Sequence, residues 1–166
     1  MSAITMKRSA VFIAALTLTS GAVSAHADSP NDKPRPNVTL TATDPSRSAD
    51  DRVTCAISVA KPNFSGGAIT AVGGFKSCTP HAPWECNSET DIEWYAPGPG
   101  RWLTVGTSAR VYGCPPPFRA GTARAYCEWR NGDPLYYYRT NTLGTIYYGS
   151  TDTDTATSSP LGIPCL

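Results

Sequence analysis

Six cysteines restrict the fold of this 166-residue chain more than any other feature of its sequence. All of them follow residue 54, and an even number of cysteines in an exported chain is typical of a disulfide framework. We therefore predict three disulfides, although the sequence leaves their pairing open. Our preferred pairing joins Cys55 to Cys78, Cys86 to Cys127, and Cys114 to Cys165. The first pair brackets two predicted strands, and the last fixes the C-terminus.

The N-terminus has the parts of a secretory signal peptide. Lys7 and Arg8 precede an apolar run that starts at Ala10, and small residues follow as far as Ala27. We expect cleavage after Ala27, with a competing site after Ala25. The apolar run is shorter than the roughly 20 residues needed to cross a bilayer, and no second apolar run follows. The sequence therefore predicts that residues 1–27 are removed and that the mature protein is secreted and extracellular, without a membrane span.

Charge and residue types exclude several classes of function. Removing Lys7 and Arg8 with the signal peptide leaves twelve basic and thirteen acidic side chains, so no net charge attracts nucleic acid or anionic membranes. His81 is the one histidine that remains, and no C-x-x-C pair occurs, so we predict no metal site. The glycine-rich loops that bind phosphates are also missing, and we predict no cofactor.

The rest of the chain is typical of an all-β protein. Residues 28–36 hold no apolar side chain except proline and are predicted to be a disordered lead-in. From residue 37 to residue 166, short β-branched and aromatic runs alternate with Gly, Pro, Asn and Asp, which predicts a single antiparallel β-sandwich of immunoglobulin-like or related type. The polar stretch 150–160 is predicted to be a loose loop. The predicted strands are 52–60, where apolar side chains alternate, and 38–42, 68–75, 91–95, 101–105, 108–113, 122–130, 135–140 and 143–149.

Four short motifs carry a resemblance to a known group of proteins. They are Val53-Thr54-Cys55 in the first clear strand, a second cysteine at Cys78, Gly121-Thr122-x-Arg124, and a closing Ile163-x-Cys165. In these motifs the chain resembles small exported actinobacterial proteins that contain disulfides and have no assigned activity. The resemblance implies export, β-structure and disulfides, and it implies nothing about function. Cys86 and Cys127 are additional to the usual four cysteines of that group.

Catalytic patterns are sparse in the sequence. His81 lies in a proline-flanked loop, and no G-x-S-x-G motif supplies a nucleophile for it, so an exposed loop histidine is the favoured interpretation. Glu93 and Glu128 each precede a tryptophan and suggest the carboxylate pair of a small glycoside hydrolase. Ordinary strand alternation, with tryptophan inside and glutamate outside, explains the same two dipeptides and is favoured.

Arginine and tyrosine form the candidate binding surface. Residues 101–139 hold six arginines against two acids, whereas residues 85–93 hold four acids and no base, so the two regions neutralise each other if they adjoin. Strand alternation directs Arg124, Tyr126 and Arg130 outward from one predicted strand and Arg110 and Tyr112 from another. These side chains are typical of protein interfaces, and aromatic rings with polar neighbours also suit sugars.

The tyrosine triplet cannot form one continuous patch, because alternation directs Tyr136 and Tyr138 to one face and Tyr137 to the other. Tyr136 and Tyr138 complete the predicted binding set. We predict no catalytic residue, and a non-catalytic binding protein, monomeric or weakly oligomeric, for an extracellular protein or glycan. One alternative is an inhibitor of a secreted amylase or protease. Trp129-Arg130 and Cys165-Leu166 resemble the small actinobacterial α-amylase inhibitors, but Asn131 stands where those inhibitors have tyrosine.

Overall fold

A computed structural model of the chain describes residues 33–47, 51–128 and 134–165, and every regular element in these ranges is a β-strand. The predicted signal peptide lies outside the described residues. The described ranges contain no helix long and apolar enough to cross a membrane. The strands are β1 Asn37–Thr43, β2 Arg52–Val59, β3 Asn63–Ser65, β4 Ala68–Thr79, β5 Glu85–Ala96, β6 Arg101–Thr107, β7 Val111–Tyr112, β8 Arg119–Tyr126, β9 Tyr136–Tyr148, β10 Ser150–Thr157 and β11 Leu161–Ile163.

The strands form two antiparallel sheets packed face to face. The first sheet has the order β1-β2-β4-β3, with β8 also paired to β4. The second has the order β10-β9-β5-β6, with β11 paired to β9 and β7 paired to β5. Because β9 occupies one edge of β5 along residues 85–94, β6 and β7 follow each other along the opposite edge. The prediction of a single antiparallel β-sandwich with three disulfides is confirmed.

Two strands show how the residue pattern determines which face is buried. In β2, Val53, Cys55, Ile57 and Val59 are buried, and the residues between them are more exposed, as the alternation predicts. In β8, the small residues at 121, 123 and 125 face inward, while the residues at 122, 124 and 126 are exposed. Apolar and polar side chains alternate with a period of two in both strands, and burying one face therefore fixes their register.

Two polar segments are strands, contrary to prediction. Residues 150–157, predicted as a loop, form β10 and pair with β9 along their whole length. Its four threonines have the β-branched shape that suits a strand, and the intervening Asp152 and Asp154 find partners on neighbouring chain segments. Strand β5 begins at Glu85, six residues before the predicted strand 91–95. The prediction missed its first half because the inward-facing Ser88 and Thr90 are polar and interrupt the apolar alternation.

The disulfide pairing differs from the preferred set in two of three bonds. Cys55–Cys78 is correct, and these cysteines lie directly opposite each other on β2 and β4. The other two bonds are Cys86–Cys114 and Cys127–Cys165, so the predicted Cys86–Cys127 and Cys114–Cys165 are wrong. The physical reason is that β7 pairs with β5, which holds Cys114 beside Cys86, while β11 pairs with β9 and places Cys165 in the apolar cluster against which Cys127 packs.

The core consists of two apolar clusters. The first lies around β1, β2 and the end of β9, and the second lies around β4, β8, β5 and the start of β9. A buried polar contact links the two sheets: the Thr90 hydroxyl donates to the Gly73 carbonyl at 3.0 Å and lies 2.9 Å from the Thr142 hydroxyl. We call this contact the threonine bridge.

The two long edges of the sandwich are built differently. At the first edge, the backbone N–H groups of Thr41 and Thr43 on β1 donate to Asp152 Oδ2 and Ser150 Oγ on β10, at 2.7 and 2.9 Å. Arg35, within the predicted lead-in, forms a β-bridge with Thr157 at the same edge. We call it the sealed edge. The opposite edge lies between β6 and β8, which are not paired with each other, and we call it the open edge.

Candidate functional site

The open edge contains a crevice of about 240 Å³ that reaches the second core cluster. A Cβ on Gly106 would lie only 2.7 Å from the Arg124 carbonyl oxygen, so β6 and β8 approach closely at this point. Next to that contact, Val105 and Tyr126 form the rim of this crevice and are 45% and 78% exposed. The crevice is lined by Ile69, Trp94, Val105, Ala125, Tyr126, Cys127 and Tyr138.

Bonds from both sides hold the floor of this crevice. The Tyr138 hydroxyl donates to the Cys165 carbonyl at 2.6 Å, and Cys165 is bonded to Cys127. Burial raises the pKa of the Tyr138 hydroxyl, so this group stays protonated and keeps its donor. The Trp94 ring lies 6.4 Å from the Tyr136 ring, centroid to centroid, in a tilted arrangement. The crevice is therefore an apolar, preformed pocket with aromatic walls.

A second groove, of about 250 Å³, lies beside the crevice at the start of β9. Tyr136 takes part in both regions, because it lines this groove and its ring contacts Trp94 in the crevice. The groove is lined by Tyr95, Pro97, Pro134, Leu135, Tyr136 and Tyr137. Crevice and groove are therefore adjacent, and tyrosine rings line both.

The strands that carry the candidate arginine and tyrosine residues belong to different sheets. Arg124 and Tyr126 are exposed on β8 of the first sheet, whereas Tyr112 is exposed on β7, which belongs to the second sheet. Arg110, just before β7, is paired with Glu89 on β5 at 3.3 Å. The two strands are not paired with each other, because β7 pairs with β5 and β8 pairs with β4. Tyr112 and Tyr126 therefore project from different sheets.

The predicted binding residues therefore separate into groups. Tyr126 and Tyr138 both line the crevice, although Tyr138 is buried and contributes its ring as a wall. Tyr136 contacts that crevice through Trp94, and Arg124 is exposed next to it on β8. Arg110 and Tyr112 lie elsewhere, and Arg130 lies outside the described residues. Sequence reasoning missed Trp94, Val105 and Ile69, because only the approach of β6 to β8 makes their side chains neighbours.

The acidic and basic regions do meet in space. Arg139 donates to Glu93 at 2.6 Å, and the Asn141 amide donates to the other oxygen of the same carboxylate at 3.1 Å. The Trp102 ring covers the Arg139 guanidinium, 4.3 Å from the ring centroid, which is a cation–π contact. Glu93 is thus bound in an ion pair, and this arrangement favours a structural role over that of a catalytic carboxylate.

His81 lies at the far end of the sandwich from the crevice. Its ring contacts the Tyr148 ring at 5.2 Å, and its Nε2 atom is 3.9 Å from Asp51 Oδ1. Tyr148 donates to Asp51 at 3.2 Å, and burial, followed by this bond, raises the pKa of its hydroxyl. Among the described residues, no serine or threonine hydroxyl is hydrogen-bonded to His81. The described neighbourhood of His81 does not assemble a nucleophile and base.

Three sulfur atoms also lie close together, those of Cys55, Cys78 and Cys86, within 4.8 Å of one another. All three belong to disulfides. Metal ions bind the thiolate form of cysteine, so the oxidised chain does not offer these sulfurs as ligands.

Comparison with other proteins adds no identity to these sites. The chain matches no protein-family model, and comparison with curated proteins and with solved structures also finds no match. The resemblance to small exported actinobacterial proteins therefore stays a prediction.

Proposed function

We propose that this is an exported, non-catalytic binding protein that contacts an extracellular partner through the crevice at the open edge. The observation that carries the proposal is the crevice itself, an apolar pocket of about 240 Å³ whose rim residues Val105 and Tyr126 are exposed. A pocket of this kind accepts one apolar ring or side chain of a partner, and such buried anchors dominate the binding energy of interfaces.

Export agrees with the cysteine chemistry of the chain. All six cysteines are paired in three disulfides, and such frameworks persist in oxidising compartments. The disulfide Cys127–Cys165 lies in the crevice wall, so the pocket is preorganised and loses little entropy when a partner binds. Arg124 and Tyr126, exposed side by side on β8, add the hydrogen-bonding contacts that surround such an anchor.

The test compares three immobilised proteins, namely the wild type, Val105→Glu and Thr122→Glu. Each is exposed to the medium in which the producing cells have grown, and the captured component is purified and titrated against all three. Val105→Glu places a charge at the crevice rim, so we expect its affinity to fall about tenfold or more. Thr122→Glu places the same charge on an exposed part of β8 away from the pocket and is expected to bind like the wild type.

Equal binding by the wild type and Val105→Glu would contradict the proposal. Equal loss in both variants would also contradict it, because the effect would then follow from charge and not from the crevice. Circular dichroism of the three proteins checks that each retains the β-fold.

Inhibition of a secreted amylase or protease is the alternative function that the sequence suggests. Trp129 and Arg130, which carry the partial resemblance to amylase inhibitors, lie outside the described residues. Titration of the protein against an α-amylase and a subtilisin-type protease tests this function directly, since a tight inhibitor abolishes activity at equal concentration.

A further inference from the structure

A third cleft, of about 190 Å³, lies on the outer face of the second sheet, away from the crevice at the open edge. Its most exposed rings are Tyr112, 71% exposed, and Trp84, 52% exposed. The cleft is lined by Trp84, Glu85, Cys86, Asn87, Tyr112 and Gly113. We call it the Trp84 cleft.

Strand register places the polar and aromatic groups of this cleft on one face. Asn87 is opposite Tyr112 on β7, and Glu85 is opposite Tyr147 on β9. Paired residues of antiparallel strands project to the same side of a sheet, and Glu85 and Asn87 are two residues apart on β5. The amide, the carboxylate and both tyrosine rings therefore project from a single patch of the surface.

The cleft is held rigid by covalent and hydrogen bonds. Cys86 in its floor is bonded to Cys114, and the Gly113 N–H donates to the Cys86 carbonyl at 2.9 Å. The Trp84 backbone N–H donates to the Tyr147 backbone carbonyl at 3.1 Å. The Trp84 ring contacts the Tyr147 ring edge-on at 5.4 Å and the buried Tyr148 ring at 5.1 Å. The indole is thus fixed in place, although half of its surface faces solvent.

The side chains of Glu85 and Asn87 are the polar side chains of the cleft that have no partner among the described residues. Neither the Glu85 carboxylate nor the Asn87 amide makes a side-chain hydrogen bond within the described ranges. The next acid on this face, Glu89, differs because it is paired with Arg110 at 3.3 Å. Glu85 and Asn87 can therefore serve a ligand, one by accepting and the other by donating and accepting.

We propose that the Trp84 cleft binds an uncharged pyranose residue of a glycan. The apolar C–H face of a sugar ring suits an aromatic ring, while its hydroxyls both donate and accept, which matches the carboxylate of Glu85 and the amide of Asn87. The unpaired Glu85 charge disfavours uronic acids by repulsion. This site is separate from the crevice at the open edge and goes beyond the function proposed for that crevice.

The test is an NMR titration of the intact secreted protein with three probes, methyl β-glucoside, methyl α-mannoside and sodium glucuronate. We expect at least one neutral glycoside to shift the Trp84 indole N–H and the Asn87 side-chain amide saturably, and glucuronate to leave both unchanged. Tyr112→Ala removes an exposed ring and is expected to weaken binding about tenfold. Asn87→Ala is expected to weaken it by a comparable factor.

Two control variants, Tyr126→Ala and Val105→Glu, alter the crevice and are expected to bind the glycoside as the wild type does. Failure of the crevice proposal would thus leave this result intact, and the reverse also holds. The proposal is overturned if neither neutral glycoside gives a saturable shift up to its solubility limit. It is also overturned if Tyr112→Ala and Asn87→Ala both bind with wild-type affinity, or if glucuronate binds more tightly than the neutral probes.

Discussion

The sealed edge and the open edge join the same two sheets in different ways. At the sealed edge, side chains of β10 accept hydrogen bonds from backbone N–H groups of β1, and Arg35 adds an ion pair with Asp154 at 2.8 Å. At the open edge, β6 and β8 approach closely at Gly106 and enclose an apolar pocket beside this point.

The difference separates an edge that is protected against strand pairing from the edge at which we propose that a partner binds. Exposed strand edges promote pairing with foreign chains, and charged side chains at an edge suppress it. At the sealed edge, Asp152 and Ser150 accept hydrogen bonds from backbone N–H groups of β1, so these groups are not available to a partner chain. The open edge instead exposes rings and apolar side chains, which favour binding to a specific partner. Changes at each edge should therefore affect different properties.

One of the two largest expected effects follows from removing the disulfide at the open edge. We expect the double variant Cys127→Ala, Cys165→Ala to lose about 2–5 kcal/mol of unfolding free energy, because the chain without this disulfide has more conformational entropy in its unfolded state. Guanidinium denaturation followed by far-UV circular dichroism measures the loss. Peptide mapping should show Cys55–Cys78 and Cys86–Cys114 intact. An unchanged denaturation midpoint would mean that this bond does not hold the second core cluster.

The two edge strands β1 and β6 give the next comparison. Leu40→Ala removes a fully buried side chain at the sealed edge and should cost about 2–5 kcal/mol, from lost burial and the cavity left behind. Val105→Ala at the open edge removes a side chain that is nearly half exposed and should change stability by no more than about 0.5 kcal/mol. Urea denaturation of both variants measures the difference. Equal losses would show that the crevice is closed in solution.

Gly106 tests the close approach of β6 to β8. A methyl group at this position would meet the Arg124 carbonyl oxygen, so we expect Gly106→Ala to cost about 1–3 kcal/mol. Gly98→Ala is the matched control, because no atom lies within 4 Å of its added Cβ, and it should be nearly neutral. Thermal denaturation compares the two. A neutral Gly106→Ala would contradict the tight contact that borders the crevice.

The smallest expected effect is at the sealed edge and depends on pH. The hydrogen bond from Arg35 lowers the pKa of Asp154 below its ordinary value of 3.8. An aspartate with a lowered folded-state pKa contributes its stability above the unfolded pKa and loses it as the pH falls through the folded pKa. Because the pair is solvent-exposed and screened, Asp154→Asn should cost less than about 1 kcal/mol at neutral pH. The difference from the wild type should disappear in acid, as measured by urea denaturation from pH 7 to pH 2.

Strands with a simple apolar alternation were predictable from sequence. In β2 and β8, each inward residue is small or apolar, so a pattern with a period of two identifies both strand and face. Strand β10 was missed because its Asp152 and Asp154 are satisfied by groups on β1 and the lead-in, more than a hundred residues away in sequence. Strand β5 was missed in part because Thr90 faces inward and bonds across the core to Gly73.

The proposed binding sites were predictable only in their residue types. Tyrosine and arginine were recognised as interface residues, and Tyr126 does lie at the crevice rim. The assignment of Tyr112 and Tyr126 to different sheets was not predictable, because it depends on which sheet each strand joins, and the pairing of β7 with β5 is a tertiary property. The same pairing brings Tyr112 opposite Asn87 and Cys114 beside Cys86, so one unrecognised strand contact accounts for the position of Tyr112 and for the wrong pairing of Cys86.

The threonine bridge has a consequence for how this molecule tolerates sequence change. Thr90, Thr142 and Gly73 lie in the interior, and the buried apolar side chains form two clusters that do not share members. Substitutions at sites more than about 7–10 Å apart that share no partner have nearly additive effects on stability. Either end of the sandwich could then diverge over generations, acquiring a new recognition specificity while the other end keeps the domain folded.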